Sequence, residues 1–374
     1  YTTVLYYTSH MLWHLRGLHS IKPIHYIFSM KQSTIFAIAA AMFASTSAVA
    51  QVSYPPAQKG TTVDEYFGEK VADPYRWLED DMSQQTADWV KAENAVTRKY
   101  LNRIPMRANI LKRLKETVNY EKSGIPFEKN GKWYVHRNNG LQNQYVLYQM
   151  DRPDAPTSEQ RVWLDPNKLS NDGTVALKGV YFSNNGRYMA YVISRNGSDW
   201  EEIYVKDCQT GADTSDHIVW AKFTGATWLG DGFYYSAYDA PEKGREISAK
   251  NSVQKIYYHK MGTPQSADEL FYMNPTQPLR FYGVSVDRDE TAMMLTESGM
   301  DNGNNLYVRD LKKPNSQFIQ MCADTRYQYA PVQTVDGKIY ILTNAGAPKY
   351  RLMVADIARP GVFDWLEVVA ECEE

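Results

Sequence analysis

Cleaving an acyl bond through a covalent intermediate takes a serine activated by a histidine, a carboxylate that orients the imidazole, and backbone donors for the oxyanion. The 374-residue chain offers little of this. The G-x-S-x-G turn, which lifts a nucleophilic serine between a strand and a helix, does not occur in it. Past residue 50 the histidines are His136, His217 and His259, each on or beside a strand of a different repeat, where a structural imidazole satisfied by its neighbours is expected. There is no H-E-x-x-H, no Walker loop and no G-x-G-x-x-G after a strand, so no cofactor is expected. Cys208, Cys322 and Cys372 are odd in number and far apart, and without a C-x-x-C pair they argue for neither a disulfide framework nor a zinc site. Each reads as a buried or edge-strand thiol. The acidic run Glu79-Asp80-Asp81 cannot aim three adjacent carboxylates at one ion, and reads better as a complement to the positive end of a helix.

The elements that would have to position any chemistry are dominated by one repeating pattern. Its clearest copy is residues 178–207, KGVYFSNNGRYMAYVISRNGSDWEEIYVKD. A first strand at 180–182 meets a turn at 183–186 whose Asn-Gly pair tolerates positive φ. In the second strand Tyr188, Ala190, Val192 and Ser194 alternate with Met189, Tyr191 and Ile193, and apolar residues on both faces suit a strand stacked between two neighbouring sheets. A third strand ends in Ile203-Tyr204-Val205-Lys206-Asp207, and that ending recurs around Tyr148, Tyr257, Tyr307 and Met353. Successive equivalents are 56, 53, 50 and 46 residues apart. A unit of about fifty residues holding four strands is the signature of a β-propeller, and five such units are visible from about residue 123 onward. The 28 tyrosines and 9 tryptophans fit an all-β domain, since aromatic rings pack well on a pleated surface.

Composition narrows the function classes. With 43% hydrophobic residues the chain can bury a sizeable core. Lys plus Arg (41) nearly balance Asp plus Glu (43), giving a net charge of −2 and no basic stripe for nucleic acid. Residues 30–50 carry a short positive start at Met30-Lys31, an apolar segment at 35–44, and Ala48 and Ala50 before Gln51. These are the parts of a secretory signal cleaved after Ala50, and the apolar run is short of the roughly 20 residues that span a bilayer. A periplasmic or secreted protein without stable membrane insertion is expected, with residues 1–29 as upstream sequence read through in frame; an anchor that stays attached is the alternative. Next, Asp73-Pro74 marks a helix start. Trp89, Val96 and Tyr100 keep helical spacing, and Ile110, Leu111, Leu114 and Val118 repeat it after Pro105.

Four polar segments carry a resemblance that spacing alone does not supply: DPYRWLED at 73–80, GLQNQYVLY at 140–148, LSNDGTVAL at 169–177 and GSDW at 197–200. In this order and spacing the chain resembles the N-terminal part of a prolyl oligopeptidase, over residues 54–356. The resemblance implies an α/β-hydrolase domain built from both chain ends, with a seven-bladed propeller inserted between them. Residues 51–122 would then be the helical start of the hydrolase domain, and 123–374 an incomplete propeller. The catalytic triad would lie beyond Glu374. The implied activity is a serine endopeptidase cutting short peptides after proline, with the propeller limiting access. Partners would be short proline-containing peptides and the chain's own hydrolase domain.

The resemblance also points to individual residues. Phe223, five residues before Trp228, matches a phenylalanine that walls the substrate pocket from the propeller side; a plain core phenylalanine is the alternative. Met300 falls where some members carry a cysteine near the active site. Asp199 would either pair with a basic group of the hydrolase domain or serve as an Asx-type turn residue. With two blades absent, the last repeat is expected to bare Ile339, Ile341 and Leu352, and the first repeat a matching apolar face. The rival function is a non-enzymatic propeller that binds a protein or peptide, since fold alone does not fix function.

Overall fold

The computed structural model describes residues 52–373. The expected signal segment and the residues before it lie outside that range. From Pro55 onward the chain forms one compact unit. It opens with a hairpin, β1 (Val63–Tyr66) and β2 (Glu69–Ala72), followed by α1 (Gln84–Leu101) and α2 (Arg107–Val118). The Asp73-Pro74 stretch does not start α1. It makes a single 3-10 turn at Arg76–Glu79, pinned by Asp73 and Asp64 on the Arg76 guanidinium. Helix α1 begins one turn later, where the Ser83 side chain accepts from the Thr86 N–H. No helix among the described residues is long and apolar enough to cross a membrane.

Five blades follow. The first holds β3 (Lys122–Ser123), β4 (Phe127–Lys129), β5 (Lys132–Asn138), β6 (Val146–Met150) and β7 (Arg161–Leu164). The second holds β8 (Val175–Phe182), β9 (Tyr188–Arg195), β10 (Trp200–Asp207) and β11 (Asp213–Lys222). The third holds β12 (Thr227–Leu229), β13 (Gly232–Ala237), β14 (Lys255–Lys260) and β15 (Glu269–Met273). The fourth holds β16 (Phe281–Val286), β17 (Ala292–Ser298), β18 (Asn304–Asp310) and β19 (Ile319–Cys322). The fifth holds β20 (Tyr329–Val335), β21 (Lys338–Thr343), β22 (Arg351–Asp356) and β23 (Leu366–Val369). All pairings are antiparallel, and one bridge, Ala221 with Ala237, joins the second and third blades into a continuous sheet. Tyr148, Tyr204, Tyr257, Tyr307 and Met353 all fall on third strands. Strand β8 starts earlier than the sequence pattern suggested, because Val175 and Leu177 pair with Arg195 and Ile193 before the bulge at Lys178.

Period-two alternation sends each blade's apolar residues both ways. On β9, Met189, Tyr191 and Ile193 pack with Tyr134, Leu147 and Trp163 of the first blade. Ala190 and Val192 face Trp228, Phe233 and Tyr235 of the third. On β17, Met293 and Leu295 join Tyr234 and Ile256 of the third blade, whereas Ala292 and Met294 join Ile339, Ile341 and Met353 of the fifth. The expected bare face is thus corrected. Ile339 and Ile341 are fully buried against the fourth blade, and the uncovered face carries Leu342, Leu366 and Val369, with half-buried Leu352 among them. The first blade's outer face is not a match for it, since Val135 and Met150 are buried against Ala155 in the β6–β7 connection.

Side chains also tie blade to blade. At the end of the blades that carries the β8–β9 turn, the Asn130 amide donates to the Asn185 carbonyl (2.7 Å). A Cβ at Gly186 would collide with Asn130, which explains the glycine. Glu290 accepts from the Asn184 amide (3.0 Å) and the Gly230 N–H (3.2 Å), linking the second, third and fourth blades. At the opposite end the Gln144 amide works like a short piece of strand. It donates to the Val175 carbonyl (2.6 Å) and accepts from the Leu177 N–H (2.7 Å). Asn304 does the same for Tyr329, donating to its carbonyl (3.0 Å) and accepting from its N–H (2.9 Å). Gln144→Leu would strand both groups of β8 and should cost about 1–3 kcal/mol, the usual penalty for unsatisfied buried polar groups. Urea unfolding checks this, with Gln144→Glu, which keeps the acceptor, expected to lose less.

Candidate functional site

Because neighbouring strands run antiparallel, the blade turns sort into two ends. The GLQNQ, LSNDG and GSDW segments, the start of Phe223, the 238–254 connection and the Met300 turn all lie at the end of β9 opposite the Asn-Gly hairpin. The N-terminal segment docks on the same end. There Arg245 pairs with Glu79 (3.1 Å), the Ile247 N–H donates to Asp81 (2.9 Å), and the Ser248 hydroxyl donates to the Glu79 carbonyl (3.0 Å). The acidic run therefore does not serve the helix dipole. It precedes the α1 cap, and it fastens the 238–254 connection to the helical segment. The Trp200 indole N–H adds a bond to the Glu246 carbonyl. Beside this junction a cavity of about 570 Å³ opens, lined by Glu79, Trp200, Tyr238, Glu242, Arg245 and Lys250.

Asp199 and Phe223 meet through a residue the sequence reading passed over. Lys222, almost fully buried, sets its ammonium 4.9 Å from the Trp200 ring and 5.4 Å from the Phe223 ring. The same ammonium lies 3.9 Å from the Asp199 carboxylate. A cation held over two aromatic faces and beside a carboxylate gains from both interactions. Asp199 thus has a basic partner within this chain. Phe223 is not a core residue: it is 52% exposed, sits at φ +54°, and meets Phe281 edge-on at 5.5 Å. Met300 is 91% exposed and joins the group only indirectly. Arg280, next to Phe281, pairs with Asp301 (3.1 Å) and lies 3.9 Å from Glu297, which holds the turn containing Met300. The surface so formed presents aromatic walls, Phe223 and Phe281, between charged rims. An apolar group of matching size could lodge between these rings. Lys222, Arg280 and Phe281 carry no sequence motif that could have marked them.

The remaining candidates are structural. His136 lies on β5, stacked near Phe127 (6.2 Å), and burial lowers its pKa. His217 on β11 stacks on Tyr204 at 4.2 Å and bonds Glu202 at 2.9 Å. Burial pushes the thiols of Cys208 and Cys322 up to about 11 and about 12, so neither is a ready nucleophile. No group of His, Cys, Asp and Glu among the described residues is arranged to hold a metal ion.

These features match a known family model, the N-terminal β-propeller domain of prolyl oligopeptidase, over residues 54–374. The chain belongs to the prolyl oligopeptidase family. It is 40% identical over 341 residues to a prolyl endopeptidase of Elizabethkingia meningoseptica, covering 90% of this chain and 48% of the relative. Against prolyl oligopeptidase A of Galerina marginata identity is 31% over 342 residues, covering 82% and 46%. The chain therefore spans about half the length of the curated relatives it matches. Among solved structures, one of two prolyl endopeptidases compared for inter-domain dynamics superposes with a TM-score of 0.61 at 33% identity, over 85% of this chain and 46% of that one. Prolyl oligopeptidase B from Galerina marginata, bound to a hydrolysis and macrocyclization substrate, gives 0.70 at 27% identity, over 86% and 48%.

His259 offers a test of the blade interior. It is 1% exposed, with Nδ1 2.7 Å from Asp268 and Nε2 3.1 Å from Asp216, while the Tyr235 hydroxyl donates to Asp268 (2.7 Å). Burial opposes its charge, but the two carboxylates outweigh burial and raise the imidazole above its ordinary value of 6.5. A raised folded value means the stabilisation is complete below the unfolded pKa and is lost as pH rises through the folded one. Thermal melting should accordingly weaken as pH climbs past about 6.5, and His259→Gln should lack that part of the slope.

Proposed function

We propose that the chain supplies the propeller half of a serine endopeptidase of prolyl oligopeptidase type, which cuts short peptides after proline. The Phe223–Phe281 wall on the end where the N-terminal segment docks is the observation that carries this reading. The relatives named above are prolyl endopeptidases and oligopeptidases, which supports the reaction class. In this proposal residues 51–122 pack on a hydrolase domain encoded beyond Glu374, which brings the nucleophile, its base and the oxyanion donors. The propeller covers the active site and admits small peptides, and separation of the two halves gates turnover. Phe223 forms one wall for the substrate's apolar residue, with Met300 and Asp199 on the rim. Residues 30–50 direct export and are removed after Ala50, so the enzyme works in the periplasm or outside the cell.

The DNA following the codon for Glu374 tests the reading directly: an open frame with a G-x-S-x-G module supports it, and a stop codon there favours a peptide-binding propeller. The purified 374-residue chain should leave a proline-containing chromogenic peptide intact; turnover blocked by a serine-directed reagent would contradict this assignment. In the longer enzyme, Phe223→Ala should lower kcat/KM by about tenfold or more, equivalent to losing roughly 1.5–3 kcal/mol of apolar contact. Intact mass of exported protein should correspond to a start at Gln51.

A further inference from the structure

Four blades carry a polar side chain at the start of the third strand, and each one reaches the next blade. Gln144 precedes β6 and holds Val175 and Leu177. Gln254, 0% exposed, precedes β14; it accepts from the Tyr282 N–H of the fourth blade (2.6 Å) and donates to the Lys222 carbonyl (3.2 Å). Asn304 opens β18 and holds Tyr329. In the second blade the equivalent residue is Glu201, on β10, which accepts from the Thr224 N–H at 3.2 Å. Three positions have an amide, which is neutral at every pH. The fourth has a carboxyl, only 6% exposed. Thr224 directly follows Phe223, so the group Glu201 grips is the N–H of the Phe223–Thr224 peptide. Phe223 needs that grip, since a non-glycine residue at φ +54° is held there by its surroundings.

We propose that Glu201 is a positioning residue for Phe223, and that ionisation of its buried carboxyl favours opening of the interblade contact it makes with the Thr224 N–H. The proposal rests on reading Phe223 as a wall of the peptide site. The charged and titratable groups facing Glu201 are Lys178 and Tyr181 from β8, Asp199 from the β9–β10 turn, and Lys222 from the end of β11. Burial raises the carboxyl above its ordinary value of 4.5; the Thr224 N–H and the Lys178 and Lys222 ammonium groups oppose this, and Asp199 adds to it. An opened Glu201, back in water, would titrate near that ordinary value. By linkage, raising the pH past 4.5 therefore favours the opened form until the buried carboxyl has itself ionised. Each unit by which burial raises the carboxyl is about a tenfold gain in opening.

The test is amide exchange in the 374-residue chain, read by NMR with selective ¹⁵N labelling and expressed as protection relative to the free peptide. Protection at Thr224 should fall between about pH 4.5 and 8 by about tenfold per unit of that shift, and the Phe223 amide resonance should move through the same interval. Leu177 and Tyr329, held by Gln144 and Asn304, should stay flat, and Glu201→Gln should flatten Thr224 as well. Constant protection at Thr224, an equal fall in Glu201→Gln, or a Thr224 transition without movement of Phe223 would overturn the assignment. Should Glu201→Gln not fold, the wild-type comparison decides: a fall confined to Thr224 supports the role, and a common fall at Leu177 and Tyr329 refutes it. The readout needs no peptide, so failure of the peptidase reading would show separately, as a kcat/KM unchanged by Phe223→Ala.

Discussion

The first strand of each blade has a partner strand on one side only, and the backbone groups along its other edge must be satisfied by something else. In this chain that constraint is met by side chains sent from the preceding blade. The Gln144 amide takes the place of a strand for Val175 and Leu177. At Tyr282 the task is divided, with Gln254 accepting from the N–H and the Ser236 hydroxyl donating to the carbonyl (2.8 Å). Asn304 handles both groups of Tyr329 alone. Face-to-face packing of apolar residues is non-directional and would allow blades to slide or rotate. Hydrogen bonds to defined backbone atoms fix the relative height of adjacent blades, and everything placed on the blade ends inherits that alignment.

Alignment matters because the candidate site draws on the second and fourth blades and on the link that joins the second to the third. Asp199, Trp200 and Lys222 come from the second blade, Phe223 from the link to the third, and Phe281 and Met300 from the fourth. A ring-to-ring contact at 5.5 Å between Phe223 and Phe281 tolerates little relative displacement before it is lost. The opposite end is tied differently, through Glu290 to Asn184 and Gly230 and through Asn130 to Asn185. Those bonds link hairpin tips in solvent, where each contributes less than a buried bond.

The repeat was legible because strands buried on both faces leave a simple record: apolar residues on both faces, closed on the third strand by a tyrosine in the first four repeats and by Met353 in the fifth. The same feature hid the direction of each face. Ile339 and Ile341 read equally well toward either neighbour, and only the register of β21 against β22 sends them to the fourth blade. The clasp residues were invisible for a different reason. A glutamine or asparagine at the start of a strand is an unremarkable polar end until the next blade is in place. Distance hid the role of the acidic run as well, since Arg245 lies 166 residues from Glu79. The matched segments GLQNQ and GSDW were informative because their polar residues answer to tertiary partners, which a strand pattern alone does not require.

Positive φ occurs at both ends of the blades. At the hairpin end it falls on Asn130 and Asp336, each followed by glycine as Asn196 is at the other end, where a tight turn accepts it at little cost, and on Glu290 and Asn315. The bulky residues among them, Trp220, Phe223, Val253 and Tyr350, lie at the clasp end, where such angles cost about 1–3 kcal/mol each. One hydrogen bond contributes only about 0.5–1.5 kcal/mol net, so a single clasp cannot hold any of them. Val253 is bracketed, with its N–H on the Pro278 carbonyl (2.8 Å) and the two bonds of Gln254 beside it. Phe223 stands between Lys222, caged by rings, and Thr224, whose N–H meets Glu201 and whose hydroxyl accepts from the Ser236 N–H (2.7 Å). Several modest interactions acting together hold a strained aromatic in place, and around Phe223 one of them is a bond to an ionisable carboxyl.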